Sequence, residues 1–150
     1  MAAETSLREI TKETVREITK LDVGSDQQGL VAPNSVSIAE AYFEPKAWFR
    51  AIYWGEEPAG FAMVWRDPPE GTFYIWRFMV DARFQGKGVG RRALELLVDE
   101  ARSDGAAEVT LSVVPGTHSA LTFYESFGFE PTGLVHGGET ELRLALDDSR

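Results

Sequence analysis

The sequence predicts an α/β (α+β) domain: a mixed, mostly antiparallel sheet of about seven strands with helices on both faces. Three observations predict it. Apolar segments separated by short turns between Trp48 and Val80 read as an antiparallel meander. The last of them, Phe73 to Val80, runs through a glycine-rich turn into an amphipathic helix, and a buried strand follows that helix. A strand reached across a helix lies parallel to the strand before it. Towards the C-terminus, His136-Gly137-Gly138-Glu139 joins two further segments as a hairpin.

Each element has a local reason. Ser6 to Ile10 is a short strand. Thr11 opens a helix to about Lys20 in capping-box fashion, with Thr14 where glutamate is usual and with Val15 and Ile18 inward. Asp22 to Asn34 holds two glycines and a proline and is a loop. Ser35 caps a helix containing Ile38, Ala39 and Tyr42; Glu40 and Glu44, four apart, share a face of that segment, and Pro45 ends it. Trp48 to Trp54 and Ala59 to Trp65 are strands joined by Gly55-Glu56-Glu57-Pro58, and Asp67 to Gly71 turns into the strand Thr72 to Asp81. The helix from about Gly88 to Ser103 carries Val89, Ala93, Leu96 and Leu97 on one stripe and stops at Asp104-Gly105. Val109 to Val114 is the buried parallel strand, broken by Pro115-Gly116-Thr117. Ser119 to Phe127 is a short helix, Gly128-Phe129 leads into a strand, and Glu141 to Leu146 alternates as the last strand.

Composition narrows the function. With 150 residues, one domain (1–150) with a sizeable core is expected. There are no cysteines, hence no disulfide framework or thiolate metal site, and the two histidines show no ligand spacing, so no metal is expected. No apolar run approaches the ~20 residues of a membrane span, and MAAETSLREI does not read as a signal peptide. A soluble, cytoplasmic protein without a membrane partner is the expectation. The 24 acidic and 15 basic residues, net charge −9, argue against nucleic acid. They suit a cationic substrate, or simply solubility.

Against that acidity, Arg83, Lys87, Arg91 and Arg92 cluster with no acidic residue between Arg83 and Arg92. The cluster surrounds Gln85-Gly86-Lys87-Gly88-Val89-Gly90 at a helix start, where free N–H groups and the helix dipole favour an anion such as pyrophosphate. Three glycine-loop patterns compete. GxxxxGK[ST] fails because Gly90 is followed by Arg91-Arg92. GxGxxG/A matches at Gly88 to Ala93, but the following strand offers no acidic residue to hold a ribose, and the chain has room for little more than one βαβ unit. Q/R-x-x-G-x-G/A, at Gln85, Gly88 and Gly90, resembles the acyl-CoA loop of the GNAT superfamily of N-acetyltransferases.

The second half bears on the choice. His118 to Phe129 resembles the GNAT signature N-x-x-A-x-x-x-Y-x-x-x-G-F, with Ala120, Tyr124, Gly128 and Phe129 in place and His118 where asparagine is usual. Other stretches (Val31 to Asn34, Ser37 to Ala41, Trp76 to Asp81, Gly133 to Glu139) are similar to bacterial spermine/spermidine acetyltransferases of the GNAT type.

The resemblance implies a splayed parallel strand pair, acetyl-CoA as acyl donor, and transfer to the primary amine of a small polyamine-like substrate in a ternary complex. It implies that the backbone N–H groups of Gln85, Gly86, Lys87, Gly88, Val89 and Gly90 hold pyrophosphate, with Lys87, Arg91 or Arg83 near the nucleotide phosphates. It further implies that Met79 and Val80 bond the pantetheine amides, and that the N–H of Val80 polarises the acetyl carbonyl. His118 stands in for the usual asparagine, which bonds the cofactor or a neighbouring backbone group, or is only a helix-start residue. Tyr124 is the candidate acid for the departing thiolate, since a phenol is protonated at neutral pH, or else a core tyrosine.

Glu40 and Glu44 are candidates to bind the acceptor and, for Glu40 first, to take its proton; Glu139 is a third, and each is equally a solvated surface acid. Trp48, Tyr74 and Trp76 would wall a cationic chain or lie in the core. Asp81, at the strand-to-loop corner, reads as structural. An antibiotic or protein N-terminal amine is an alternative acceptor; a non-catalytic acyl-CoA sensor and a nucleotide-binding module are alternative functions. A homodimer is compatible with the family.

Overall fold

The computed structural model describes residues 3–24, 33–115 and 120–146. Within them the strands β1 (Thr5–Arg8), β2 (Ala47–Trp54), β3 (Glu57–Asp67), β4 (Thr72–Val80), β5 (Glu108–Val113), β6 (Glu130–His136) and β7 (Glu139–Ala145) form one sheet. Their order is β1-β2-β3-β4-β5-β7-β6. Every neighbouring pair is antiparallel except β4 and β5, which the crossing helix forces parallel. The sequence-derived fold class stands.

Two apolar layers flank the sheet. Helix α3 (Val89–Ser103) buries Val89, Ala93, Leu94, Leu97, Val98 and Ala101 against Ile52, Val64, Phe73, Ile75, Val109, Leu111 and Leu142. Helix α4 (Leu121–Phe127) joins this layer through Tyr124. The stripe differs from expectation at one position: Leu94 is fully buried, and Leu96 only half. The far end of α3 is tied to β3 by Arg66, which donates to both carboxylate oxygens of Asp104 at 2.7 and 2.8 Å and meets Glu100 at 2.9 Å.

On the other face, α1 (Val15–Thr19) and α2 (Asn34–Tyr42) pack Ile18, Ile38 and Ala41 onto Ala51, Tyr53, Phe61, Met63 and Met79. This second layer draws only on β2, β3 and β4. Beyond it the same face carries Thr110 and Ser112 of β5, which alternate with the buried Val109, Leu111 and Val113. Among the described residues, no helix is long and apolar enough to cross a membrane.

Several boundaries differ from the sequence reading. Thr11 and Thr14 make the expected capping-box bond, Thr11 N–H donating to Thr14 Oγ1 at 2.9 Å, but that turn precedes the helix, which starts at Val15. Ser35 does not cap α2. Pro33 holds that position, and Asn34 lies inside the helix with Nδ2 donating to Ile18 O at 2.8 Å, tying α2 to α1. The tertiary bond decides this start. Because α2 ends at Tyr42, Glu44 falls in the following turn, where its carbonyl accepts from Ala47 N–H, and does not share a helical face with Glu40.

Candidate active site

The site is built where β4 leaves β5. Their ladder has two rungs, Tyr74↔Thr110 and Ile75↔Leu111, and then the strands part. On the other side β4 stays paired with β3, but Met63↔Arg77 and Val64↔Ile75 leave Trp76 as an extra residue. Such a bulge bends and twists its strand, and here it also reverses which face each residue addresses. Phe73 and Ile75 face α3 before it; Phe78 and Val80 do so after it, while Met79 packs under α1 and α2 and Arg77 meets Glu40.

Backbone direction follows from one bond. Asp81 N–H donates to Ala59 O at 2.7 Å, so alternation turns the N–H and C=O of Met79 toward β3 as well and those of Phe78 and Val80 toward the gap. The geometry departs from the expectation for Met79: its N–H and C=O serve the β3 ladder, and those of Phe78 face the gap beside Val80. Gly60 makes the close pairing possible. A Cβ there would lie 2.3 Å from Met79 O and 3.3 Å from Val80 Cα.

The loop after β4 is held from inside. Gln85 Nε2 donates to Val80 O at 2.9 Å and to Val23 O at 3.2 Å, so its side chain clamps the strand end and does not reach outward. Gly88 caps α3 with φ +83°, a backbone that a side chain would strain. Arg92 N–H already reaches Gly88 O, leaving the N–H groups of Gly88, Val89, Gly90 and Arg91 without intrahelical acceptors. Gly86, Lys87 and Gly88 are exposed, whereas the Val89 side chain is buried as the helix anchor.

The four bases divide. Arg83 is taken by Asp81 at 2.9 Å and Arg92 by Glu95 at 3.1 Å. Lys87 lies over the Trp54 ring and Arg91 over the Phe127 ring, and neither has a carboxylate partner among the described residues.

Asp81 is structural, as its corner position suggested. Its Oδ2 accepts from Asp22 N–H, and its Oδ1 accepts from both N–H and Nε of Arg83, each at 2.9 Å. Burial opposes its charge, but the bonds from Arg83 and Asp22 outweigh that and hold the carboxyl below its ordinary range. A folded pKa below the unfolded one gives stability that is full above about pH 3.9 and is lost as pH falls through the folded value. Asp81→Asn is expected to cost about 1–3 kcal/mol at pH 7. Urea unfolding should also show a shallower acid limb for the variant, because the linked proton uptake has gone.

Tyr124 lies on the α3 side of the gap. Its ring is buried among Phe78, Phe123 and Phe129, with centroids 6.4, 5.2 and 5.6 Å away. Burial pushes the phenol above its ordinary value, so it is protonated at neutral pH. None of the described residues hydrogen-bonds its hydroxyl. Gly90 stands beside the same group: a Cβ there would meet Val80 Cγ2 at 3.5 Å and Phe123 Cζ at 3.6 Å.

Across the sheet, Glu40 Oε1 accepts from Arg77 Nη2 at 3.0 Å, which leaves Oε2 without a partner among the described residues. Arg77 also lies over the Trp76 ring, whose other neighbour is Trp65, so a cation already covers the predicted acceptor wall. Trp48 is on the opposite face, between Arg50 and Arg66, and forms no wall with Trp76. Tyr74 donates to Ser112 across the splay. Glu139 begins β7 at the hairpin, opposite His136. His118 lies outside the described residues, and among those described no three acidic or histidine side chains form a metal-binding group. Sequence reading missed Arg77 and Phe78; a lone arginine within the apolar run Trp76 to Val80 was the available signal for the first.

Comparison with known proteins agrees with this architecture. Residues 8–129 match the model of the acetyltransferase (GNAT) family. The chain is 26% identical over 139 residues to the spermine/spermidine N(1)-acetyltransferase of Bacillus subtilis, covering 85% of this chain and 89% of that protein. It is 37% identical over 74 residues to the [ribosomal protein bS18]-alanine N-acetyltransferase of Salmonella typhimurium, over 45% and 50% of the two chains. In three dimensions it resembles PaiA N-acetyltransferase from Thermoplasma acidophilum, solved in complex with coenzyme A, with a TM-score of 0.73 at 13% identity over 95% of this chain and 99% of that one.

Proposed function

The chain belongs to the acetyltransferase (GNAT) family, and from that premise we propose that it transfers the acetyl group of acetyl-CoA to a primary amine of a small polyamine-like substrate by direct attack in a ternary complex. One observation carries the reading: a splayed β4–β5 pair turns the N–H of Val80 into its gap, with the free first turn of α3 following it and Tyr124 packed on Phe78 of the same strand.

The residues divide the chemistry. The amides of Gly88 to Arg91 bind pyrophosphate, with Lys87 and Arg91 as unpaired cations beside them. The outward N–H and C=O of Phe78 align the pantetheine arm, and Val80 N–H stabilises the oxyanion formed as the amine adds. Tyr124 gives its proton to the departing sulfur. On the far face, Glu40 takes the proton of the acceptor amine on Oε2, while Arg77 on Oε1 orients it. Donor and acceptor thus meet from opposite faces. The polyamine class is supported by the acidic net charge and by the Bacillus subtilis relative.

A protein N-terminal amine is the second reading. The higher local identity to the ribosomal-protein alanine acetyltransferase supports it, as does an open apolar groove formed by Ile38, Tyr42, Phe43 and Phe49 beside α2.

The test is free-thiol release from acetyl-CoA with spermine, spermidine, diamines, N-terminal alanine peptides and aminoglycosides. Polyamines are expected to give the highest kcat/KM. Preference for the peptide or the aminoglycoside would discard the polyamine assignment and keep the enzyme. Coenzyme A binding without thiol release for any amine would make the protein an acyl-CoA sensor.

A further inference from the structure

The open face of the sheet carries a polar row that the transfer chemistry above does not use. Tyr74 Oη donates to Ser112 Oγ at 3.2 Å, just past the last rung joining β4 to β5. Ser112 stands opposite Glu141 of β7, so their side chains leave the same face about 5 Å apart. Around Glu141 the edge strand departs from its ladder. Between Pro131↔Leu142 and Val135↔Thr140, Thr132, Gly133 and Leu134 of β6 face Glu141 alone.

This bulge wraps the carboxylate. Thr132 Oγ1 donates to Glu141 Oε1 at 2.9 Å while accepting from Leu134 N–H at 3.1 Å, and His136 Nε2 lies 3.2 Å from Oε2. The Glu141 side chain is 18% exposed. No lysine or arginine among the described residues pairs with it; Arg143, two residues on, is taken by Glu108 at 3.1 Å.

A carboxylate oriented on two sides, reachable from solvent and lacking a lysine or arginine partner is a receptor for an ammonium group. Its position decides which one. β7 lies two strand spacings, about 10 Å, from β4, and Val80 lies a further four residues along β4 from the level of Glu141, so the separation is on the order of 15 Å. That is too far for the nitrogen that attacks an acyl group at Val80, and suited to a second charge on the same molecule. The geometry points to Glu141 as the group that recognises a distal cationic centre on the acceptor, with Ser112 beside it on the same face. This inference rests on the transferase reading and deepens it: it selects extended polyamines over monoamines.

The experiment compares wild type with Glu141→Gln, both saturated with coenzyme A, by titration calorimetry with spermidine and with butylamine. Spermidine affinity is expected to fall about tenfold in the variant relative to butylamine, the loss of one charge-assisted contact. In turnover the same ratio should appear in KM for spermidine, with KM for acetyl-CoA unmoved. Glu141→Asp, which keeps the charge, should recover part of the loss and serves if the glutamine variant folds poorly. Equal spermidine binding by wild type and variant, or no spermidine binding by wild type, overturns the inference. The two readings separate cleanly. Binding through Glu141 without thiol release rejects the transferase and leaves the site, whereas turnover of monoamines alone rejects the site and leaves the transferase.

Discussion

Tyr124→Phe is expected to lower kcat about 10²- to 10³-fold, equivalent to about 3–4 kcal/mol of barrier, with little change in KM for acetyl-CoA. The phenylalanine ring retains the packing against Phe78, Phe123 and Phe129. Since no described residue bonds the hydroxyl, its removal should change stability by no more than about 0.5 kcal/mol. Steady-state kinetics and a thermal melt on the same sample separate the two roles. A variant that melts like wild type and turns over at the wild-type rate would make Tyr124 a core residue, and the proton for the thiolate would have to come from solvent.

Gly60→Ala should have the largest structural effect. The new Cβ would stand 2.3 Å from Met79 O, with Ile52 Cδ1 at 3.2 Å and Val80 Cα at 3.3 Å. The first of these is backbone in the middle of a paired strand and has no rotamer to change. β3 and β4 must move apart at the level of Val80. A loss of about 2–4 kcal/mol is expected from urea unfolding. Even under conditions where the variant is folded, coenzyme A affinity by calorimetry should fall about tenfold or more, because Val80 N–H is displaced from the gap. Gly90→Ala is the contrasting control. Its Cβ would make ordinary contacts with Val80 and Phe123 in a helical first turn, so its stability should stay within about 0.5 kcal/mol of wild type. Equal behaviour of the two alanine variants would remove the close-approach explanation.

Much of the site was legible because its signals are local. Gly88 marks a helix cap in the left-handed region, and Val89, Ala93 and Leu97 recur at helical spacing behind it. Asp81 sits at a chain corner, where a short carboxylate meets nearby N–H groups. What sequence reasoning misjudged depended on partners far along the chain. The family resemblance sets Met79 with Val80, yet alternation against β3 sends their backbone groups opposite ways. Glu40 and Glu44 were joined by an interval of four, but α2 stops at Tyr42. Trp48 and Trp76 resemble one another as strand aromatics, but they lie on opposite faces of the sheet.

By itself, the sequence determined the order of strands and helices, the parallel crossover and the place of the glycine loop at the start of α3. Periodicity, turn residues and caps act within a few positions, and such features are written in consecutive residues. Only the tertiary structure decided that Trp76 bulges from β4, so that Phe78 and Val80 open toward the gap, that Arg77 engages Glu40, and that Gln85 clamps Val80. Each of those outcomes is a choice between partners separated by many residues. It is settled when strand register and helix packing are satisfied together, and a side chain then turns to whichever face that compromise leaves it.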